Sequence, residues 1–252
     1  DPGYSYAFFY CTPKLYDLYT ANGDSNRMNW NIAPFQYTES STGKGVDGRL
    51  FEKGKLAEVK NQYYDRSYSY GDAAPSSKKG DREKTVASTD LARVCGKYRR
   101  EYEADKKNKN FTAINFPILR YADILLMIAE CENEINNEPT ALAYQCINAV
   151  RKRAGISELS NLSKDEFRQA VKDERAMELC FEFTRRFDLI RWGEYVQNMN
   201  ALVARAQNGS DWKLGPANVY TYFQISDTYY YFPIPANEMA VNHLITENNP
   251  GW

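Results

Sequence analysis

The chain has 252 residues, 43% of them hydrophobic, and 32 basic residues nearly balance 33 acidic ones, for a net charge of −1. This length is ample for a sizeable hydrophobic core, and the balanced charge argues against nucleic acid or an anionic membrane surface as a partner. The only His is His243, which excludes a His-rich metal cluster. We predict neither a metal site nor a cofactor.

The first part of the chain alternates short aromatic runs with runs of turn formers. SYAFFY is typical of a strand, and PKLYDLY predicts a short helix that begins at Pro13. ANGDSNRMNW predicts a loop that ends at Trp30. Residues 61–82 contain four Tyr among turn formers and almost no aliphatic side chains, so we expect a surface loop there.

A strand is predicted at VCGKYRREYEA, and a helical hairpin follows it. Its first helix runs from Pro117 to Asn136 and is apolar on most sides, so we expect it to be largely buried. The apolar positions are Tyr121, Ile124, Leu125, Ile128 and Ile135. Thr140 can cap the second helix, which ends at Gly155. The helical cysteines, Cys131, Cys146 and Cys180, are expected to be small buried side chains.

Residues 163–193 predict a further helix, opened by a capping box in which Ser163 and Glu166 bond each other's backbone amides. A helix is expected to resume after Gly193 and run to about Ala206. The apolar stripe of the first of these helices comprises Phe167, Val171 and Phe181, and Glu174 and Glu178 share it.

Two carboxylates four residues apart could form a catalytic pair, but a glycosidase acid needs a raised pKa. Nearby guanidinium groups lower the pKa of a carboxyl group and keep it ionised. Three Arg follow Glu178 closely: Arg185, Arg186 and Arg191. We therefore favour a buried ion-pair lattice over catalysis.

Between residues 116 and 252 the chain contains four notable stretches, in the order FPILRYADILLMIAECENEIN, ALAYQCINAVRKRAGI, DERAMELCFEFTRRFDLIRWG and YYFPIPANEMAVNHLITENNPGW. Together they resemble the motifs of the SusD/RagB family of glycan-capture lipoproteins from Bacteroidetes. DERAMELCFEFTRRFDLIRWG is similar to that family's ERRxELxxEgxRxFDLxRWG helix. FPILRYADILLMIAECENEIN is similar to its RYADxLLxxAE helix, and ALAYQCINAVRKRAGI to its INxVRxRAG helix. YYFPIPANEMAVNHLITENNPGW is similar to its FPIP and QNPGY terminus. The match is specific over residues 116–252 and loose over residues 1–115.

The resemblance implies a mainly α fold, with tetratricopeptide-like helical hairpins, long irregular loops and a few short strands. Residues 1–115 are then a loop-rich, aromatic-rich region that faces the ligand. Residues 116–252 form the helical region, closed by a packed terminal clamp over residues 232–252. Because the family begins with an export signal and a lipidated Cys, we expect this chain to be the carboxy-terminal portion, with membrane attachment only through an anchor that this chain lacks.

The function implied by the resemblance is non-catalytic binding of oligo- or polysaccharide at the extracellular face of the outer membrane. The glycan would be delivered to a SusC-like TonB-dependent transporter. Two alternatives stay open: a peptide- or protein-binding scaffold of the same family, and a glycoside hydrolase that uses loop acids such as Asp65 and Asp72.

Ligand residues are predicted from the aromatic loops, because a sugar ring stacks on aromatic faces and bonds to neighbouring polar groups. Packing of the same aromatic side chains over the edge of the core would produce this pattern equally well. The predicted ligand-binding residues are Asn29, Trp30, Gln62, Tyr63, Tyr64, Asp65 and Tyr68. If they prove to be packing residues, the site is expected in residues 212–231.

Overall fold

The computed structural model describes residues 11–33, 51–52, 55–56, 94–98, 114–208 and 224–252. The α-helices in these residues are α1 (Pro13–Ala21), α2 (Ser25–Asn31), α3 (Tyr121–Asn136), α4 (Ala141–Ala154), α5 (Lys164–Glu178), α6 (Arg185–Arg191), α7 (Tyr195–Asn208) and α8 (Ala236–Val241). The strands are β1 (Ile32–Ala33), β2 (Phe51–Glu52), β3 (Lys55–Leu56) and β4 (Val94–Cys95), and Asp227–Tyr230 is a 3₁₀ helix. The predicted mainly α class is confirmed.

The strands form two antiparallel pairs, with Ile32 opposite Cys95 and Phe51 opposite Leu56. Contacts between Cα atoms divide the chain into two compact units, Asp1–Phe183 and Thr184–Trp252. The division that we predict between residues 115 and 116 stays a prediction.

Helices α3 and α4 form the predicted hairpin. The Thr140 hydroxyl accepts a hydrogen bond from the amide of Ala143 at 3.1 Å, which caps α4. Gly155 ends α4 with φ of 79°, a left-handed conformation that glycine adopts without a Cβ clash. Both predicted caps are therefore confirmed.

The main hydrophobic core lies between α3, α4 and α5. Small side chains on α3 and α4 let these helices approach closely, and α5 adds large apolar ones. The core residues are Ala122, Leu126, Ala129, Ala143, Cys146, Ile147, Val150, Phe167 and Val171.

Two expectations for α3 are wrong. The helix begins at Tyr121 instead of Pro117, because Arg120 still has an extended backbone, with φ of −127° and ψ of 155°. The helix is also less buried than its composition suggests, with Tyr121 and Ile135 each 77% exposed. The fully buried apolar residues of α3 are Ala122, Leu126 and Ala129, whereas Leu125 and Ile128 are only partly buried against the core.

Helix α5 has the predicted capping box: the Ser163 amide donates to Glu166 Oε2 at 2.9 Å, and the Glu166 amide donates to Ser163 Oγ at 3.4 Å. The prediction of one helix through residue 193 is wrong, because α5 ends at Glu178. Phe181 and Phe183 follow with left-handed φ values of 61° and 60°, which a helix cannot contain. Phe181 therefore leaves the apolar stripe of α5.

A second, smaller core joins α1 to the end of α5. Its buried members are Cys11, Tyr19, Ile32 and Met177. The Tyr19 hydroxyl donates to the carbonyl oxygen of Met177 at 2.5 Å and accepts from Asn31 Nδ2 at 2.9 Å. These bonds fix α1 and α2 against α5.

Helix α1 begins at Pro13 as predicted, but the expected loop at residues 21–30 is wrong. Residues 25–31 form α2, which the Asp24 side chain caps by accepting from the Arg27 amide at 3.1 Å. Of the helical cysteines, Cys146 and Cys180 are buried as expected, whereas Cys131 is exposed.

The unit Thr184–Trp252 contains α6, α7, α8 and the 3₁₀ helix. Helix α7 follows Gly193 as predicted and ends at Asn208. The Arg186 guanidinium lies 4.2 Å from the centroid of the Phe232 ring. The indole nitrogen of Trp252 donates to the carbonyl oxygen of Tyr231 at 3.2 Å. Phe232 and Leu244 are 64% and 93% exposed, so hydrogen bonds hold the terminal segment more than burial does.

Candidate functional site

The unit Asp1–Phe183 contains a cluster of ionised side chains that we term the charge lattice. Glu174 and Glu178 lie one helical turn apart on α5, and Glu182 follows four residues later. Because positions four apart share a helix face, the first two carboxylates point to the same side. The lattice consists of Asp24, Arg27, Lys97, Arg120, Arg151, Arg153, Glu174, Glu178 and Glu182.

Glu174 is the deepest member, with a side chain that is 0% exposed. Arg27 Nη1 donates to its Oε1 at 2.6 Å, and Arg151 Nη1 donates to its Oε2 at 2.9 Å. Arg27 also pairs with Asp24, and Arg151 donates to the carbonyl oxygen of Ser157 at 2.7 Å. The carboxylate is thus fully enclosed by α2, α4 and α5.

Glu178 receives three guanidinium groups. Its Oε2 accepts from Arg27 Nη1 at 3.0 Å and lies 2.5 Å from Arg153 Nη2, and its Oε1 accepts from Arg120 Nη1 at 3.0 Å. Burial raises the pKa of Glu178, but the hydrogen bonds and charges of Arg153 and Arg27 outweigh it and hold the pKa below its ordinary value. This carboxylate stays ionised at neutral pH.

Glu182 ends the lattice beyond α5. Arg120 contacts both of its oxygens, from Nε at 2.8 Å and from Nη2 at 2.9 Å. Lys97 Nζ lies 2.5 Å from Glu182 Oε1 and also donates to the carbonyl oxygen of Glu178 at 2.7 Å. A two-point guanidinium contact of this kind fixes the orientation of both side chains.

The predicted buried ion pairs at Glu174 and Glu178 are confirmed, but their predicted partners are wrong. The partners come from α2, α4 and the segment before α3, not from Arg185, Arg186 or Arg191. Those three residues lie after Phe183, where the chain has left α5, and Arg191 pairs with Asp188 at 2.9 Å. Proximity in sequence misleads here because the positive φ values of Phe181 and Phe183 redirect the chain.

A cleft of about 420 Å³ opens over the charge lattice. Its charged floor includes Arg27, Arg120, Arg153, Glu178 and Glu182, and further lining residues are Asn26, Asn31, Lys97, Pro117 and Ala154. Aromatic side chains also line it, from Trp30 on α2 and from Tyr98 after β4.

The two aromatic side chains give the cleft apolar faces beside its polar floor. Trp30 is 47% exposed, so part of its indole is open to solvent. The rings of Tyr98 and Phe116 lie 5.7 Å apart between centroids, within the range of favourable aromatic pairs. A ligand in this cleft would meet an aromatic surface and several fixed hydrogen-bond donors.

Of the predicted ligand residues, the structure describes two. Trp30 lines the cleft, and Asn29 is exposed on α2. The other five, Gln62, Tyr63, Tyr64, Asp65 and Tyr68, lie outside the described residues, as does Asp72. The cleft also contains residues that sequence reasoning missed, chiefly Lys97, Arg120 and Arg153. The sequence indicates these cations only indirectly. Glu174 and Glu178 on the apolar stripe of α5 require cationic partners, but the sequence does not show which residues they are.

No helix in the described part of the chain combines the length and the apolar composition that a membrane crossing requires. Groups of three or more His, Cys, Asp or Glu side chains able to hold a metal ion are likewise absent from the described residues.

Comparison with known proteins identifies the relatives of this chain. It is 38% identical over 136 residues to SusD-like protein P25 of Formosa agariphila, a match that covers 52% of this chain and 23% of that protein. It is 30% identical over 167 residues to SusD-like protein P2 of the same organism, covering 62% of this chain and 30% of that protein. The matched part is thus less than a third of either curated relative.

The fold comparison agrees. The crystal structure of a SusD homolog from Bacteroides thetaiotaomicron superposes with a TM-score of 0.68 at 26% identity, covering 95% of this chain and 43% of that one. The sequence model of the SusD family matches residues 1–252, the full length of the chain. The chain therefore belongs to the SusD family.

Proposed function

We propose that this chain binds oligo- or polysaccharide without catalysing its cleavage, and that the cleft over the charge lattice is part of its binding surface. One observation carries the proposal: in a member of the SusD family, the half-exposed Trp30 lines a cleft whose floor consists of fixed polar and charged groups. Sugar rings need this combination of an aromatic face and hydrogen-bonding side chains.

Membership of the SusD family supports a wider role for the whole protein. The whole protein would act at the extracellular face of the outer membrane and deliver its glycan to a SusC-like TonB-dependent transporter. Attachment to the membrane would use a lipid anchor. Since the matched part is less than half of the solved homolog and of the curated relatives, other parts of such a protein would complete the binding surface.

The state of the lattice carboxylates supports a binding role over hydrolysis. A glycosidase needs one carboxyl group that is protonated near neutral pH. Arg153 and Arg27 instead hold the pKa of Glu178 below its ordinary value, and Glu182 is contacted by both Arg120 and Lys97. Glu178, held ionised by these guanidinium groups, is not prepared to donate a proton to a leaving group.

A pair of tryptophan variants tests the proposal, because Trp30 and Trp252 have nearly equal exposure, 47% and 49%. The purified chain is first screened on a glycan array, and the glycans that bind are used for affinity electrophoresis. Stacking of a ring on an aromatic face contributes about 1–3 kcal/mol, so Trp30→Ala should weaken binding about tenfold or more. Trp252→Ala, which changes the terminal segment, should bind like the wild type.

Three results would contradict the proposal: no glycan bound on the array, equal affinity of Trp30→Ala and wild type, or new reducing ends in a time course with a bound glycan. Selective retention of peptides instead of glycans would favour the alternative scaffold function. The paired Tyr63→Ala, Tyr64→Ala variant tests the loop residues in the same assay and is expected to lose affinity by a similar factor, about tenfold.

A further inference from the structure

The charge lattice has one cation more than it has carboxylates. Five basic side chains share four acidic ones within the described residues, and every member takes part in the ion pairs described above. Arg27 and Arg151 are buried, with side chains that are 9% and 7% exposed, and Lys97 and Arg120 are partly buried, at 13% and 26%. The fifth, Arg153, is 56% exposed and lines the cleft.

Arg153 is also the cation that the lattice can release at least cost. Among the described residues its single ion pair is with Glu178, and that carboxylate keeps Arg27 on Oε2 and Arg120 on Oε1 when Arg153 moves away. No buried charge is then left without a partner. Breaking a buried ion pair is costly when it does leave such a charge. By contrast, the loss of Arg151 would leave Glu174 with Arg27 alone.

The cleft around Arg153 is positive. Among the described residues, four cations and two carboxylates line it, and the lattice as a whole, with Arg151, Asp24 and Glu174 beneath, has an excess of one positive charge. Trp30 provides the apolar face at the same cleft. An anion that enters meets the exposed guanidinium, whose planar fork matches the two oxygens of a carboxylate or sulfate group.

From this arrangement we infer that the glycan held in this cleft is acidic, and that Arg153 binds its carboxylate or sulfate ester while Trp30 contacts a sugar ring. The inference rests on the proposed function and names the chemical class of its ligand. Arg153 exchanges part of its contact with Glu178 for the ligand's oxyanion, and the lattice below stays intact. Binding should therefore be weakened by salt, because the pair forms at a partly exposed position.

The test uses affinity electrophoresis of the 252-residue chain in gels that contain one of two matched pairs of polymers. Polygalacturonate and its fully methyl-esterified form share a sugar ring and differ in the free carboxylate. Dextran sulfate and dextran share a backbone and differ in the sulfate group. The two pairs thus separate recognition of a uronate from recognition of a sulfate ester, each against a neutral polymer.

Arg153→Gln is compared with Lys152→Gln, which removes the same charge from an exposed neighbouring position on α4 that does not line the cleft. We expect the wild type and Lys152→Gln to be retarded by at least one acidic polymer more than by its neutral partner. Arg153→Gln should bind that polymer about tenfold more weakly, as the loss of a charge-assisted hydrogen bond predicts. Its melting temperature should stay near that of the wild type.

Equal retardation of Arg153→Gln and Lys152→Gln by the acidic polymer would overturn the inference and indicate non-specific attraction. Binding to neutral glycans alone would also overturn it, yet leave the proposed function standing. If the array and all four gels show no binding, both fall together. A large fall in melting temperature for Arg153→Gln would show that this residue supports the lattice and is not available to a ligand.

Discussion

Removing Glu174 should destabilise the protein more than removing Glu178, although both carboxylates sit on the same face of α5. Breaking a buried ion pair by deleting one partner costs about 3–5 kcal/mol, because the other charge stays buried. The cost within this range depends on what remains for the cations. Glu174→Ala leaves Arg151, whose side chain is 7% exposed, with no carboxylate among its described contacts.

Glu178→Ala should lower the free energy of unfolding by less, because each cation that contacts Glu178 keeps another carboxylate or can be hydrated. Arg27 keeps Asp24 and Glu174, Arg120 keeps Glu182, and the half-exposed Arg153 turns to water. We therefore expect about 3 kcal/mol for Glu178→Ala and about 4–5 kcal/mol for Glu174→Ala. For a protein of this size, 3 kcal/mol corresponds to a fall of about 6–12 °C in the melting temperature.

Urea unfolding followed by circular dichroism measures both variants against Glu138→Ala, which removes an exposed carboxylate between α3 and α4. The Gln variants at positions 174 and 178 keep the side-chain volume and isolate the effect of charge. A Glu174→Ala variant no less stable than Glu138→Ala would refute the reasoning, since the lattice would then contribute nothing measurable. Equal losses of unfolding free energy in Glu174→Ala and Glu178→Ala would show that the partners left to each cation do not determine the cost.

Three further predictions concern stability. Because the pKa of Glu178 is lower in the folded chain than in the unfolded one, its stabilisation is present above about pH 4.3 and is lost as pH falls through the folded value, so urea midpoints should fall more steeply in acid for wild type than for Glu178→Ala. Tyr19→Phe should cost about 1 kcal/mol in urea unfolding, since the Met177 carbonyl keeps its bond from Asn31; a loss above about 3 kcal/mol would contradict this. Phe183→Gly should melt higher than Phe183→Ala, by about 1 kcal/mol of stability, because only glycine relieves the left-handed φ; the reverse order would count against strain at this position.

Local signals in the sequence predict much of the helical architecture. The capping box at Ser163, the Thr140 cap and Gly155 are read from neighbouring residues, because each depends on bonds within one turn. Helix α2 is not predicted, because SNRMNWN has no apolar periodicity. Its stability derives from the Asp24 cap and from burial of Arg27 and Asn31. Tertiary contacts supply what its own pattern lacks.

The site is less predictable than the fold. An acidic stripe on α5 indicates that cations must be near, but Arg27 and Arg151 lie 147 and 23 residues from Glu174. The turn that ends α5 has no glycine to announce it, since Phe181 and Phe183 adopt left-handed φ themselves. Trp30, which lines the cleft, is singled out from the sequence because it is a large aromatic residue in a polar segment, and its role in ligand binding stays a prediction.

The charge lattice also bears on how the protein folds, because its members come from segments scattered between Asp24 and Glu182. Five separate stretches must be brought together before all its pairs exist, and each closure of a long loop loses chain entropy. We therefore expect the pairs of the lattice to form after the rate-limiting barrier, and the local α3–α4 hairpin to form before it. Substitutions that weaken the lattice should then raise the unfolding rate and leave the folding rate nearly unchanged. Substitutions in the α3–α4 hairpin should lower the folding rate.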